Sequence, residues 1–245
     1  MKRTALASTA LSAAVLAGLT ACGSGDSESD GDSGGKSGAS ATAPQKKETS
    51  PAERVAKLAV TADEVKGYEV EQPAADDEFV FAKSQDEVTV DKKACAPLAY
   101  AMNQLPLGEP RADLTRTAAK NGLANGLTYV TLNAYADGGA EAAMADLTEA
   151  VSSCGGGFTA KANGNSSPYD SVAAEKADGA GDESLAFKST MTVLGATHTM
   201  HSAAVRRGDV VAVYFAVNGR AIAESRPSDT KLDTPVVRAQ NAKLG

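Results

Sequence analysis

Residues 23–50 divide this chain into a part that cannot fold and a part that can. From Gly23 to Lys36 nearly every residue is Gly, Ser, Asp or Glu. That composition buries too little apolar surface to offset the entropy of ordering. The segment is expected to be a disordered linker with a typical reach of about 30 Å. Asp26, Glu28, Asp30 and Asp32 alternate as in a calcium loop. The glycine, distal Glu and flanking helices that an EF-hand needs are absent, so a solvated linker is the better reading. Residues 51–245 are then the folding unit, long enough for one domain with a sizeable core.

Upstream of the linker, Lys2 and Arg3 precede an apolar stretch from Ala5 to Leu19. The stretch is too short to span a bilayer comfortably, and Ser8, Thr9, Ser12 and Gly18 dilute it. It ends in Leu19-Thr20-Ala21-Cys22: a large aliphatic residue, two small ones, then Cys. These are export features, and the run resembles a bacterial lipoprotein signal peptide. The resemblance implies that residues 1–21 are removed and that Cys22 carries a diacylglycerol thioether, with further acylation by chains such as palmitate. Two or more acyl chains hold a protein stably, where one does not. The alternative is an uncleaved anchor helix, which would have to stop at Gly23. The expected location is the cell membrane, lipid-anchored, on its extracytoplasmic face.

The chain has 24 basic and 31 acidic residues. Loss of Lys2 and Arg3 would make the remainder more acidic still. Nucleic acid rewards clustered Lys and Arg, so no nucleic-acid partner is expected. Anionic headgroups would repel the body of such a protein. The membrane contact rests on Cys22.

The core must come from Ala, Val, Leu, Met and a few aromatics, since Trp is absent. Ser50-Pro51-Ala52-Glu53 has a cap, a first-turn Pro and a capping-box Glu. Thr61-Ala62-Asp63-Glu64 repeats the signature, with Gly67 as a stop. Strands are expected at Tyr68–Glu71, Glu78–Lys83 and Leu127–Tyr135. Ala94–Leu105 reads as a helix with Pro97 in its first turn. Ala140–Cys154 places apolar residues at helical spacing and ends at Gly155-Gly156-Gly157. One or two strands are expected within Gly155–Gly181. Glu183–Leu194 and Thr197–Arg206 form a predicted hairpin about Gly195, and Val210–Val217 follows. Asn218-Gly219 signals another turn, and Pro235–Leu244 a last helix. The fold class is α+β: an antiparallel sheet packed against a few helices, a single domain after a disordered tether.

Cys95 and Cys154 are the only thiols besides Cys22. Outside the cell two such cysteines are expected to pair. A loop of that length contributes about 4 kcal/mol by chain entropy. Two separate buried thiols are the alternative; a redox pair lacks its Cys-x-x-Cys.

His198 and His201, with Met191 and Met200 near in sequence, invite a soft metal site. On a strand, positions 198 and 201 point to opposite faces, and no third ligand is spaced to join them. Both read as ordinary strand residues, with no metal and no cofactor. Arg207-Gly208-Asp209 spells an adhesion tripeptide but reads as a hairpin turn with its charges in water. Asn165-Ser166-Ser167 fits a glycosylation acceptor, which a bacterial host discounts. Gly179-Ala180-Gly181-Asp182-Glu183-Ser184 lacks the helix and Lys of a phosphate loop. No nucleophile elbow, zinc-protease or Walker motif is present.

Four features recur together: Ala94-Cys95-Ala96-Pro97-Leu98, Ser153-Cys154, Gly181-Asp182-Glu183-Ser184, and Ala204-Val205-Arg206-Arg207-Gly208-Asp209-Val210-Val211. Behind a lipobox and tether they are similar to exported actinobacterial lipoproteins. In outline they also resemble the extracellular sensor domain of mycobacterial-type membrane serine/threonine kinases, over roughly residues 55 to 220. Such domains usually carry a second disulfide and a Trp, and this chain has neither. The resemblance implies an α+β extracytoplasmic module without catalysis. It transfers no ligand-binding residue.

The expected function is a non-catalytic binding or sensor-like module for a small or apolar ligand or an envelope protein. A cell-envelope hydrolase and a purely structural surface lipoprotein are the alternatives. Replacing Cys22 with Ala is expected to abolish labelling by an alkyne-tagged palmitate and to leave the precursor uncut. Labelled, processed Cys22→Ala protein would refute the lipobox reading.

Overall fold

Ser50 caps the first described helix as its sequence requires. Its Oγ accepts from the Glu53 amide at 3.2 Å, and the Glu53 carboxylate accepts from the Ser50 amide at 2.9 Å. Pro51 fills the first turn of α1 (Pro51–Leu58). The computed structural model describes residues 49–73, 81–120 and 122–245. The signal segment, Cys22 and nearly all of the linker lie outside the described residues. So does the first half of the expected strand Glu78–Lys83, whose described half, Phe81–Lys83, is not strand.

A short 3-10 turn over Ala62–Glu64 leads to β1 (Tyr68–Glu71). Then come β2 (Thr89–Val90), α2 (Ala96–Ala101), β3 (Ala112–Lys120), β4 (Leu127–Ala134) and α3 (Gly139–Ser153). They are followed by β5 (Phe158–Ala162), β6 (Asn165–Tyr169), β7 (Ser171–Glu175), β8 (Glu183–Val193), β9 (Ala196–Arg207) and β10 (Val210–Val217). α4 (Gly219–Ala223), β11 (Ser228–Thr230) and α5 (Thr234–Leu244) complete the fold.

The main sheet has the order β1-β3-β4-β10-β9-β8-β7, and β2-β5-β6 form a small second sheet. Every pairing is antiparallel except that of β11, which runs parallel to the first half of β9. The domain is α+β. The expected helix Ala94–Leu105 is shorter than its apolar pattern: a 3-10 turn precedes α2, and Gln104 with φ 55° ends it. The stretch from Gly155 to Gly181 holds three strands, with a tight turn at Asn163-Gly164. Phe158 and Tyr169, opposite each other there, stack with centroids 4.8 Å apart. Asn218 makes no hairpin. Its side chain accepts from the Ala221 amide at 2.9 Å and caps α4.

β10 reads Val-Val-Ala-Val-Tyr-Phe-Ala-Val, and all but its last residue are buried. Both of its faces are covered. On one side Val211, Val213 and Phe215 join Leu98, Met102, Met144, Leu147 and Phe187 in a core beneath α2 and α3. Cys95 and Cys154 are joined by a disulfide within this core, with Cα atoms 6.0 Å apart. On the other side Val210, Ala212 and Tyr214 pack with Val130, Leu132, Val55 and Val236 beneath α1 and α5.

The last helix is tied to the first by one side chain. Gln240 is fully buried; its Oε1 accepts from the Val60 amide and its Nε2 donates to the Leu58 carbonyl, both at 2.9 Å. These are backbone groups at the end of α1 that would otherwise be orphaned. Asn241 accepts from the Tyr214 hydroxyl at 2.6 Å, and Lys243 donates to Glu64 at 2.7 Å.

The hairpin between β9 and β10 turns at Gly208, φ +58°. Its charges do not simply face water, as the sequence reading expected. Asp209 forms a two-pronged ion pair with Arg54 of α1. Asp182 accepts from the Gly208 amide at 2.7 Å and from Arg207 at 3.2 Å. The Gly208 amide and the two neighbouring guanidiniums hold the Asp182 carboxyl below the usual carboxylate range. A Cβ on Gly181 would lie 2.3 Å from the Arg206 carbonyl oxygen, and φ there is +70°. Thus Gly181-Asp182 and Arg206-Arg207-Gly208-Asp209, two motifs that carry the family resemblance, lock onto each other.

Gln240→Leu keeps an apolar helix face but strands two backbone groups. Urea unfolding is expected to show a loss of about 2–4 kcal/mol; an unchanged midpoint would show that the two groups find other partners.

Candidate functional site

The alternation of β9 sends its two histidines to opposite sides of the sheet, as their spacing predicts. Met200 and Ala204 share the face of His198, in the core under α2 and α3. Ala203 and Val205 share the face of His201, on the side of α1 and α5.

His198 is fully buried, and its Nδ1 lies 3.0 Å from the Ser228 hydroxyl, brought opposite it by the parallel pairing of β11. Its Nε2 has no partner among the described residues. Burial pushes the His198 imidazole below its usual range and keeps it neutral. Ser228 lines a polar cleft of about 450 Å³ that Lys120, Arg226, Asp229, Lys231 and Asp233 also border. A serine beside a histidine is the start of a nucleophilic dyad. Here no carboxylate orients the far nitrogen. A buried N–H without an acceptor is rarer in proteins than an under-used acceptor. The favoured tautomer therefore carries its proton on Nδ1 and donates to Ser228. That ring cannot take the Ser228 proton.

His201 has the carboxylates that His198 lacks. Its side chain is 8% exposed. Nδ1 lies 2.6 Å from Glu175 at the end of β7, and Nε2 lies 2.8 Å from Asp229 on β11. Lys231 Nζ is 2.8 Å from the same Nε2 and 3.2 Å from Asp229. An imidazolium donates to both carboxylates; a neutral ring protonated on Nδ1 donates to Glu175 and accepts from Lys231. Through this one ring the cluster joins β7, β9 and β11. The two carboxylates occupy opposite ring nitrogens and do not converge on one ion. Among the described residues no group of three metal-ligating side chains is placed to hold a metal.

His201 stands at one end of a groove of about 550 Å³ between α5 and the exposed face of β7, β8 and β9. α5 seats on β10 and α1 through Val236 and Gln240, and its other side faces the groove. Beyond that seat the sheet presents small residues, Ala186 and Ala203, beside Val205. Leu232 and Val237 form the facing wall. Lys176, Asp178 and Arg238 stand on the rim, exposed and with no hydrogen-bond or ion-pair partner among the described residues. Lys231 borders both groove and cleft.

No protein-family profile matches the chain, and no curated protein matches it in sequence. Solved structures do match. The chain is similar to the extracellular domain of PknH from Mycobacterium tuberculosis. The TM-score is 0.49 at 13% identity, over 80% of this chain and 95% of that one. It is also similar to an uncharacterized protein of Mycobacterium smegmatis, an Rv0999 ortholog, with a TM-score of 0.36 at 12% identity, over 73% of this chain and 89% of that one. The likeness to a mycobacterial kinase's extracellular domain is the one the sequence motifs indicate. It assigns no site residue.

The sequence places the histidines correctly on opposite faces but does not reveal their partners. Glu175 lies 26 residues and Asp229 28 residues from His201. Ser228-Asp229-Thr230-Lys231 reads as a polar loop, and nothing local marks a three-residue parallel strand. The Ala186 and Ala203 floor is likewise silent, since Ala is common throughout this chain.

The neutral His198 sets a pH dependence. In the unfolded chain a histidine takes its proton near pH 6.5, whereas the buried ring resists it. Between that pH and the lowered folded value the unfolded state binds more protons, so stability falls as pH falls. Urea midpoints at about pH 7.5 and 5.5 are expected to drop with acid, and His198→Gln to flatten that drop. Equal slopes in both proteins would remove His198 as the cause.

Proposed function

We propose that this chain is a lipid-anchored, extracytoplasmic binding module that performs no catalysis. In this reading residues 1–21 are removed, Cys22 carries the lipid, residues 22–50 are the linker and 51–245 the binding domain. The groove between α5 and β7–β9 supports it most directly. It has an apolar floor and a charged rim, its volume falls in the range of small-molecule sites, and no activated nucleophile lines it. The groove also weighs against a purely structural surface protein. Its occupant is a small or lipidic ligand.

One observation favours a second reading, an envelope hydrolase: the Ser228–His198 pair at the polar cleft. The tautomer argument opposes it. A fluorophosphonate probe that labelled Ser228, and failed on Ser228→Ala, would establish the hydrolase instead.

The primary test is extraction. The processed chain, purified from membranes of a host that recognises lipoboxes, is expected to carry a ligand visible by native mass spectrometry and recoverable in organic solvent. Repeated absence of any such species from several hosts would sink the proposal.

A further inference from the structure

We infer that the groove takes a single-chain anionic amphiphile, an alkyl tail ending in a carboxylate or phosphate. This rests on the binding reading above and goes beyond it by naming the ligand's chemistry.

The tail follows from the lining. Ala186, Ala203 and Val205 present an apolar strip along the sheet, and Leu232, just before α5, and Val237 within it face that strip. An apolar strip of this kind suits an alkyl chain. Ala203 and Ala186 lie directly opposite each other on β9 and β8, so two small side chains side by side make the floor low where the tail would lie.

The head follows from the charges that remain unused. Glu175 is held by His201, and Lys231 is shared between His201 and Asp229. Three rim charges have no partner among the described residues: Lys176, Arg238 and Asp178. Two cations stand against one acid, on a chain whose formal charge is −7. A guanidinium presents parallel N–H groups that match a carboxylate or phosphate. An anionic amphiphile with its tail on the alanine floor brings its head to this rim. A cationic one would meet Lys176 and Arg238 with like charge.

The test uses the processed, acylated full chain in nanodiscs of neutral lipid. Three photoreactive dodecyl probes are compared: a carboxylate, a monoalkyl phosphate and a trimethylammonium. Cross-links are mapped by mass spectrometry, so that membrane partitioning of the probes does not enter. Both anionic probes, or one of them, are expected to mark peptides from β9 and from Leu232 to Arg238, and the cationic probe to leave them unmarked. The stronger of the two anionic signals identifies the head group. Arg238→Glu, on an exposed helix face, is expected to cut anionic labelling roughly tenfold, the change that follows loss of one charge-assisted contact. Ala203→Phe is expected to abolish labelling while the thermal melt persists. Should Ala203→Phe fail to fold, Arg238→Glu decides alone. Equal labelling by the cationic probe, or none lost in Arg238→Glu, overturns the anionic head and leaves the binding reading intact. No labelling of the groove by any probe, from a chain that still extracts with a bound species, overturns the groove as its site. No labelling and no bound species overturn both.

Discussion

β10 is apolar on both faces and has to be covered twice. Everything else in the domain follows from that requirement. A strand with one solvated face needs a single layer of helices; this one needs two. The chain meets the demand from different places. α2 and α3, joined through Cys95 and Cys154, come from the middle of the sequence and cover one face. α1 and α5 come from the two ends of the folding unit and cover the other. The second layer has no covalent link. It relies on Gln240, which satisfies the backbone at the end of α1, and on the contacts of Tyr214, Asn241 and Lys243.

The same division separates the candidate chemistry. β9 borders β10 and carries a histidine to each layer. On the side of α2 and α3 the ring is buried and bound to a serine. On the side of α5 it stands between two carboxylates and a lysine, next to a groove. A hydrolytic triad would need the serine of one and the carboxylate of the other on a single ring. The two-residue period of the strand keeps them apart.

How much of this was legible depends on whether the cause was local. α1 and α3 announced themselves by caps and spacing, and β8, β9 and β10 by alternation and turns. The Cys95–Cys154 pair followed from compartment and count. β3 gave little signal because its apolar face is only Ala112, Leu114 and Ala118, interrupted by Arg116. Asn218-Gly219 misled because a turn signal and a helix cap use the same residue for the same reason, a short side chain that accepts from nearby amides. Nothing local in the helix marks Gln240 as buried; only the approach of α1, 180 residues earlier, gives it that role. The groove is invisible in sequence because it is made by the approach of α5 to strands far from it along the chain. The motifs of the family resemblance were legible yet uninformative about ligands, since Gly181, Asp182 and Gly208 serve the hairpin itself.

The clip between α1 and α5 has a mechanical meaning. A force applied to α1 passes to α5 through Gln240 and to the β9–β10 hairpin through Arg54 and Asp209. α5 is also one wall of the groove, and the opposite wall belongs to the sheet. A pull on the first helix is therefore shared between the two walls of the groove, through a side-chain amide to one and an ion pair to the other.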